Sequence, residues 1–342
     1  MAKENIGAIG IDLGTFTSDI AIVERGSSEL INLTKFPTLV DEGPESYMKR
    51  IVPVVNGMKN AYDGEICALG IGIPSWSGVE EAIMNSPNMK KFNGFKILGA
   101  FRLMLPWLEM KVVGDNDANV AGFAEEGYGN HHGAKEGIAG YTLGGGVGFY
   151  AFVLDPDTGK LFMLTGRKKR AGEGGHRAVP PPPGAPERKC GCGYQYCVEA
   201  GASANAVIFY AQHALSSGKP TLITEKVRQD VNYNERKSIL TQVTPIHVEQ
   251  AANDGDEAAL QILDWLSWSL AHGIRGVIQD FDPVIFTISG GMSHWKGLIR
   301  EIRKKLRTLD GVVPCREVKV VASTLENPGI LGPAAMALYK FA

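Results

Sequence analysis

Residues 6–24 read IGAIGIDLGTFTSDIAIVE, and this stretch decides how the fold is interpreted. An apolar run of small and β-branched residues ends at Asp12, and a second, alternating strand pattern runs from Ser18 to Glu24. The turn sequence LGTFT joins the two runs. The stretch is therefore predicted to be a β-hairpin with an acidic residue and a Gly/Thr turn at its tip.

The tip of this hairpin carries groups suited to a phosphate. Main-chain N–H groups exposed by Gly14 and the hydroxyls of Thr15 and Thr17 could face phosphate oxygens. Asp12 could hold a Mg²⁺ ion through water. A D-x-G-T sequence is also typical of a plain hairpin turn, so these residues alone leave both interpretations open.

A second strand–turn–strand pattern reads GIAGYTLGGGVGFYAFVL, with strands predicted at 137–143 and 147–154. Gly144, Gly145 and Gly146 join them and leave bare backbone that can approach phosphate oxygens, although a sharp β-turn would favour glycine too. The likeness to the first hairpin predicts an internal repeat. The expected fold is a pair of related α/β domains, each with one phosphate-facing turn, and a cleft between them.

The segment 173–199, EGGHRAVPPPPGAPERKCGCGYQYCVE, gathers three of the five cysteines of the chain. One imidazole and three thiolates are sufficient for a tetrahedral zinc site, and the segment supplies them as His176, Cys190, Cys192 and Cys197. Glycines between the cysteines let several sulfurs point at one centre. The spacing favours zinc over the alternative of reduced, buried cysteines beside a surface histidine.

Two carboxylates flank these ligands. Glu173 lies one helical turn before His176, and Glu199 lies two residues after Cys197. A metal bound by the segment would fix where both carboxylates point.

A crowded polar sequence, GDNDAN, follows a short predicted strand at 111–113 and leads into a predicted helix. Asp and Asn are favoured at helix N-caps, so one of these residues is expected to cap the helix. One cap does not need four acidic or amide groups. Because α/β folds place catalytic groups at strand-to-helix turns, the sequence favours an active role for Asp117.

Other stretches add weaker candidates. Asn85 lies in a polar loop and could hydrogen bond to a ligand, although asparagine in loops commonly caps a turn. Gly290 and Gly291 separate a predicted buried strand from a basic amphipathic helix. A diglycine there would let an adenine or ribose lie flat on the backbone, and helix–sheet packing alone also favours glycine.

The remaining elements are predicted from periodicity. A long helix carries Trp265 and Trp268, which are expected in the core, and the C-terminal helix of small residues is expected to pack tightly. Ser203 and Thr244 are expected to begin two further helices. The other predictions are a strand at 29–36, a helix at 44–59 and a strand at 66–74.

The composition limits the class of protein. A chain of 342 residues suits two domains, and a formal net charge of -2 gives no electrostatic reason to expect nucleic acid or membrane partners. No apolar run approaches the ~20 residues that span a bilayer, and no signal-peptide pattern is present. An odd number of cysteines fits a reducing cytoplasm.

Together these motifs resemble the ROK family (repressors, open reading frames and kinases) of the actin-like ATPase superfamily. The resemblance covers nearly the whole chain and rests on DLGTFT, GDNDANVAGFAEEGYG, TLGGGVGFY, GEGGH with CGCGYQYCVE, and DPVIFTISGGMS. It implies two ribonuclease-H-like domains, assigned here to 1–114 plus 326–342 and to 115–325. It also implies a cytoplasmic, ATP- and Mg²⁺-dependent hexokinase that forms a homodimer or homotetramer.

The resemblance also implies roles for single residues. Asp117 resembles the general base that takes the proton of the sugar 6-hydroxyl. The glycines of the two later motifs would contact the nucleotide: Gly144, Gly145 and Gly146 at its phosphates, Gly290 and Gly291 at its nucleoside. The residues implied to hold sugar hydroxyls are Asn116, Glu173, His176 and Glu199, with Asn85 as a further candidate and His176 also on the zinc.

Three departures from the family pattern stand out. Phe16 adds bulk to the first phosphate loop, and Tyr196 replaces a usual glycine before the last cysteine. The run Pro180–Pro183 stiffens the zinc loop into extended structure. Repressor members carry an N-terminal helix-turn-helix, whereas the first strand here begins near Ile6, so DNA binding is not expected.

The resulting hypothesis is phosphorylation of a hexose at O6, with glucose favoured. An N-acetylmannosamine or N-acetylglucosamine kinase would use the same motifs and differ only in the pocket for C2. The third alternative is a sugar-binding ROK protein without catalysis, against which an intact Asp117 argues.

Overall fold

The computed structural model describes residues 5–84, 86, 88–167, 171–218, 220–312 and 314–342. The strands are β1 (Ile6–Leu13), β2 (Thr17–Glu24), β3 (Ile31–Pro37), β4 (Glu65–Gly72), β5 (Trp76–Ser77), β6 (Ala82–Ile83), β7 (Val112–Asp115), β8 (Ile138–Leu143), β9 (Val147–Leu154), β10 (Leu161–Met163), β11 (Ile285–Ser289) and β12 (Lys319–Ala322). The α-helices are α1 (Pro44–Ala61), α2 (Ile97–Met104), α3 (Asp117–Tyr128), α4 (Val198–Ala202), α5 (Ala204–Ser216), α6 (Ile223–Gln229), α7 (Pro245–Asn253), α8 (Glu257–Phe281), α9 (Leu298–Thr308) and α10 (Pro328–Phe341). Within the described ranges, no helix combines the length and the apolar composition needed to cross a bilayer.

The chain divides into two units. The first contains residues 1–134, 163–172 and 324–342, and the second contains 135–162 and 173–323. The division expected from the sequence places the boundary after residue 114, so it assigns α3 to the other domain. The helix groups with the first unit because its backbone packs directly on α10, where a Cβ on Gly332 would lie 2.0 Å from the carbonyl oxygen of Val120.

Each unit contains one five-stranded sheet with the same topology. The strand orders are β3-β2-β1-β4-β7 in the first unit and β10-β9-β8-β11-β12 in the second. In both sheets the central hairpin is antiparallel, β1 with β2 and β8 with β9. The following strands are parallel, β4 and β7 in one sheet and β11 and β12 in the other. The predicted internal repeat of two related α/β domains is confirmed.

The first sheet is covered closely by the C-terminal helix. A Cβ on Gly10 would lie 2.4 Å from the carbonyl oxygen of Ile330, and a Cβ on Gly70 would lie 1.8 Å from that of Pro333. Real Cβ atoms do not approach backbone so closely, so glycine on β1 and β4 is what lets α10 reach the sheet. The prediction that the small-residue helix packs tightly is confirmed.

Small residues also bring α4 against α8 in the second unit. A Cβ on Gly201 would lie 2.0 Å from Ser269 Oγ, and a Cβ on Gly273 would lie 2.5 Å from a methyl group of Val198. This contact fixes the C-terminal end of the cysteine segment on the longest helix of the unit. Ser203 caps α5 and Thr244 caps α7, as predicted.

The prediction for the two tryptophans of α8 is wrong. Trp265 and Trp268 are half-buried rather than core residues. Their indole N–H groups donate to the carbonyl oxygens of Pro183 and Pro180. Helical periodicity placed them on the apolar face of α8, and it contained no information that a loop some 80 residues earlier would need hydrogen-bond donors.

Candidate functional site

The β1–β2 turn places one carboxylate and two hydroxyls at the end of the first sheet. The Gly14 N–H donates to the carbonyl oxygen of Asp12 at 3.1 Å, and a Cβ on Gly14 would lie 2.3 Å from that of Thr17, so the turn requires glycine. Within the described residues, the Thr15 and Thr17 hydroxyls have no hydrogen-bond partner in the protein. Phe16 is 87% exposed, so its ring does not fill the turn.

Buried hydroxyls support this turn from behind. Thr38 Oγ1 donates to the carbonyl oxygen of Gly14 at 2.7 Å and lies 3.2 Å from Ser18 Oγ. The Tyr47 hydroxyl donates to Ser18 Oγ at 3.0 Å. These three residues come from a loop, a strand and a helix, so no sequence spacing could have connected them. The network fixes the turn without using the groups that face outward.

The polar residues at the start of α3 have different roles. Asn116 is the N-cap, because its Oδ1 accepts from the Asn119 N–H at 2.8 Å. Asp115 Oδ1 accepts from the Asn116 N–H and from Asn119 Nδ2. Asp117 makes no hydrogen bond or ion pair to any described residue, and its side chain is exposed to solvent. The capping requirement is met by its neighbours, which leaves the Asp117 carboxylate available.

Asp117 belongs to a group of carboxylates in the first unit. Burial raises the pKa of Asp12 to about 6, and the charges of Asp117 and then Asp19 add to that effect. Asp117 itself touches solvent, but the protein around its other sides removes enough water to raise its pKa as well. A Cβ on Gly329 would lie 2.1 Å from Asp12 Oδ2, so α10 leaves only enough room for the carboxylate. Carboxylates whose charges interact in this way can together bind a cation.

The β8–β9 turn of the second unit is held from one side and open on the other. The Gly144 N–H donates to the carbonyl oxygen of Gly146 at 3.0 Å. The start of α5 donates to the turn through the Ala204 N–H to Gly144 and through Asn205 Nδ2 to Gly145, both at 2.8 Å. A Cβ on Gly144 would meet no described atom within 4 Å, so the outer side of the turn is accessible.

The two glycines after β11 have different surroundings: the first is closely packed and the second is open. Gly290 has φ 88°, and a Cβ there would lie 2.4 Å from the carbonyl oxygen of Leu143. Position 290 therefore requires glycine because the ends of β11 and β8 lie very close together. A Cβ on Gly291 would meet no described atom within 4 Å, so only Gly291 leaves open backbone for a ligand.

Two glycines let the Glu173–His176 turn lie flat on β9. A Cβ on Gly174 would lie 2.5 Å from the Phe149 ring, and one on Gly175 would lie 1.8 Å from the carbonyl oxygen of Val147. Gly174–His176 forms a short 3₁₀ helix with Glu173 at its start. The Glu173 carboxylate has no hydrogen-bond partner among the described residues.

The four predicted zinc ligands lie together. One donor atom from each of His176, Cys190, Cys192 and Cys197 can be chosen so that all lie within 4.8 Å of one another. His176 Nδ1 and Cys190 Sγ are 3.6 Å apart. Bond lengths in zinc sites place tetrahedral ligands about 3.5–3.8 Å from one another, so the donor set fits Zn²⁺.

Glu199 connects this cluster to the β8–β9 turn. Its Oε2 accepts from the Val147 N–H at 2.9 Å, and the Cys190 thiol donates to its Oε1 at 3.1 Å. A Cβ on Gly146 would lie 2.5 Å from Oε2, so the glycine makes room for the carboxylate. This connection gives Gly146 a second reason to be glycine, which the sequence pattern did not indicate.

Asn85 lies outside the described residues. Tyr196 takes part in the zinc loop through its hydroxyl, which donates to Glu187 Oε1 at 3.0 Å, and through its carbonyl oxygen, which accepts from the Val179 N–H at 2.8 Å.

Comparison with known proteins places the whole chain in one family. The family model described as "ROK family" matches residues 8–340. The glucokinase of Thermotoga maritima is 30% identical over 334 residues, which cover 96% of each chain. The N-acetyl-D-glucosamine kinase of Vibrio atlanticus is 23% identical over 340 residues, covering 96% of this chain and 97% of the relative.

A solved structure shows the same fold. The crystal structure of a ROK family glucokinase from Streptomyces griseus, in complex with glucose and AMPPNP, matches with a TM-score of 0.71 at 24% identity. The match covers 97% of this chain and 99% of that one.

Proposed function

The chain belongs to the ROK family, and from that premise we propose that it is an ATP-dependent hexokinase. It transfers the γ-phosphoryl group of ATP to the 6-hydroxyl of a hexose, and glucose is the first candidate. The whole-length similarity to the Thermotoga maritima glucokinase supports glucose as the acceptor.

The observation that carries the proposal is the free Asp117 carboxylate. Its neighbours Asp115, Asn116 and Asn119 form hydrogen bonds with one another. Asp117 forms no hydrogen bond with any described residue, and its pKa is raised. A general base must be within reach of the proton it takes, and it works best with a pKa close to the working pH. Asp117 accepts the proton of the sugar 6-hydroxyl as the hydroxyl oxygen bonds to the γ-phosphorus and the bond from that phosphorus to the β–γ bridging oxygen breaks, which releases ADP. General-base assistance of this kind is worth about 10²–10⁴-fold.

The other groups of the first unit bind phosphate and its counter-ion. The main-chain N–H groups next to Gly14 and the hydroxyls of Thr15 and Thr17 would donate to phosphate oxygens, and Asp12 would hold Mg²⁺ through water. When bound, Mg²⁺ neutralises the charge of the transferred group. Burial, and after it the charge of Asp117, raises the pKa of Asp12, and a bound cation would relieve the repulsion between the two carboxylates.

The second unit supplies nucleotide and sugar contacts. Gly144, Gly145 and Gly146 lie along the phosphates, and Gly291 gives the nucleoside open backbone, with Gly290 as the packed half of that pair. Zn²⁺ is held by His176, Cys190, Cys192 and Cys197, and it fixes the loop that carries the sugar ligands.

The sugar hydroxyls are held mainly by charge-assisted hydrogen bonds. Glu173 is free to accept them. A thiolate ligand cannot donate a hydrogen bond, so metal binding by Cys190 would release Glu199 Oε1 from the contact seen here. Asn116 uses Oδ1 as the helix cap, which leaves its Nδ2 group to donate to the sugar. His176 uses one ring nitrogen for the metal and the other for the sugar.

A coupled assay tests the proposal with ATP·Mg²⁺ and a panel of glucose, mannose, N-acetylglucosamine and N-acetylmannosamine. We expect the highest kcat/KM with glucose, and ADP formation that depends on the sugar. No turnover of any hexose or N-acetylhexosamine would refute the proposal. Sugar-independent ATP hydrolysis would instead support a sugar-binding protein that does not transfer phosphate.

The second candidate is an N-acetylhexosamine kinase. The observation that favours it is the similarity to the Vibrio atlanticus N-acetyl-D-glucosamine kinase over almost the full length of both chains. The ratio of kcat/KM for glucose and N-acetylglucosamine decides between the two. For either enzyme we propose a homodimer or homotetramer, which light scattering after size-exclusion chromatography would detect.

A further inference from the structure

The proline run of the zinc loop is held by two tryptophans of one helix. Trp268 Nε1 donates to the carbonyl oxygen of Pro180 at 3.2 Å, and Trp265 Nε1 donates to that of Pro183 at 3.1 Å. Both donors lie on α8, three residues apart, and the two acceptors are also three residues apart. The donors and acceptors pair in antiparallel order, so the contact has a defined register.

The equal spacing has a physical reason. Residues three apart on an α-helix lie on the same face. An extended proline run repeats every three residues, so its first and fourth carbonyl groups point in the same direction. Proline has no N–H and its φ is fixed, so such a run is stiff and its carbonyl oxygens must find donors elsewhere. Aromatic-lined grooves that bind proline-rich peptides also rely on this three-residue repeat.

The run has little packing behind it. A pocket of about 270 Å³ borders it, lined by Pro180–Pro183 and, among other residues, by Gly201, Tyr210 and Ser269. A stiff segment that borders a pocket is not held by close packing over its whole length. Its position therefore depends on its attached ends, and the two indole N–H groups hold the first and last proline.

The attached segment continues directly into the zinc loop. The residues before the run pair with those around Cys197: the Val179 N–H donates to the carbonyl oxygen of Tyr196 at 2.8 Å, and the Val198 N–H donates to that of Arg177 at 3.1 Å. His176 precedes one of these paired segments, and Glu199 follows the other. A displacement of the proline run is therefore transmitted to a zinc ligand and to a sugar ligand.

We propose that Trp265 and Trp268 are positioning residues of the sugar site. Their indole N–H groups fix the proline run on α8, and the run sets the orientation of the paired segments that carry His176 and Glu199. The inference rests on the proposed function for its effect on sugar affinity. Its effect on the metal site does not depend on that function.

Phenylalanine substitutions test the proposal because they remove the N–H and keep an aromatic ring. The variants are Trp265→Phe, Trp268→Phe and the double variant. The matched control is Trp107→Phe in the first unit, which also removes an indole hydrogen bond, the one that Trp107 Nε1 donates to Asn56 Oδ1 at 2.8 Å. All four proteins are compared with the wild type in Tm, glucose KM, kcat and the rate of zinc release to a chromogenic chelator.

The expected result separates KM from kcat. A hydrogen bond of ordinary strength corresponds to about a threefold rise in KM for each single variant and about tenfold for the double variant, with kcat nearly unchanged. Zinc release should accelerate in the same order. Trp107→Phe should lower Tm without changing either quantity.

Two outcomes would overturn the positioning role. One is a KM and a zinc-release rate equal to those of Trp107→Phe. The other is a lower Tm of the Trp265 and Trp268 variants with unchanged KM and zinc release, which would make the contact merely structural. If the wild-type chain phosphorylates no sugar, the proposed function fails, and the zinc-release rates alone then decide whether the tryptophans position the loop.

Discussion

The two glycine turns occupy the same place in two sheets of the same topology, yet they are supported by different chemistry. The β1–β2 turn rests on the neutral, buried hydroxyls of Ser18, Thr38 and Tyr47. The β8–β9 turn rests on the Glu199 carboxylate and on donors from α5. The backbone of the repeat is retained, while the side chains that fix each turn are unrelated.

The difference also separates the groups that face a ligand. The first unit brings together Asp12 and Asp117, carboxylates whose pKa values are raised. The second unit offers bare backbone and a cluster of sulfur and nitrogen ligands. We infer that proton and cation chemistry belongs to the first unit and that most of the sugar contacts, apart from that of Asn116, belong to the metal-held loop of the second.

Asp117→Asn should produce the largest effect, because it removes the base and keeps the shape of the side chain. We expect kcat to fall about 10²–10⁴-fold, while glucose binding measured by calorimetry changes little. Asp63→Asn, at an exposed position of the same unit, should leave kcat unchanged. Wild-type turnover by Asp117→Asn would show that the first unit does not supply the base.

Cys190→Ser, in the second unit, should change zinc content and glucose affinity, whereas Asp117→Asn changes kcat. Wild-type protein purified without chelator should carry about one zinc per chain, and the variant much less, because Cys190 Sγ is adjacent to both His176 and Glu199. We expect a large loss of glucose affinity together with a lower Tm. Cys315→Ser, a buried cysteine outside the cluster, serves as the control and should keep its zinc. Equal zinc content in the two variants would show that the cysteine cluster does not bind the metal.

Gly70→Ala should test how strongly the first sheet depends on α10. The new Cβ would lie 1.8 Å from the carbonyl oxygen of Pro333, a backbone atom that moves only with the helix. Overpacking of this kind costs about 1–3 kcal/mol, so Tm should fall by several degrees. Gly57→Ala is the matched control: the residue lies inside α1, a Cβ there would meet no described atom of another segment within 4 Å, and alanine should raise Tm. A similar Tm for both variants would mean that α10 can shift at little cost.

The sequence predicted the fold more completely than it predicted the site. Strand periodicity and glycine punctuation are local signals, and they indicated both hairpins and hence the repeat. The spacing of His176 and the three cysteines is also local, and the structure brings all four together. A sequence cannot show which polar residue of a cluster will cap a helix, so the separate roles of Asn116 and Asp117 emerged only from coordinates.

Contacts between distant segments had no sequence signal. Thr38 and Tyr47 support the first turn from other elements, and Gly329 makes room for Asp12 from more than 300 residues away. The tryptophans of α8 satisfied a helical pattern and were therefore assigned to the core. Their actual role depends on where the proline carbonyls lie in space.

Asp12→Asn should produce the smallest change in stability, and the size of that change depends on pH. The pKa of Asp12 is about 6 in the folded protein, above its ordinary value of 3.8. The folded state therefore binds the proton more tightly than the unfolded state, and ionised Asp12 lowers stability above about pH 6. That penalty disappears as pH falls from 6 towards 4.

Asparagine carries no charge at any of these pH values, so it should raise Tm at pH 8 and leave it nearly unchanged at pH 4. For a partly exposed carboxylate we expect a gain of about 1–2 kcal/mol at pH 8, accompanied by a loss of kinase activity. Thermal unfolding of both proteins at the two pH values, without added Mg²⁺, measures the difference. A gain in stability of the same size at both pH values would show that the gain does not come from the charge of Asp12. The raised pKa of a buried carboxylate would then no longer distinguish the first unit from the second.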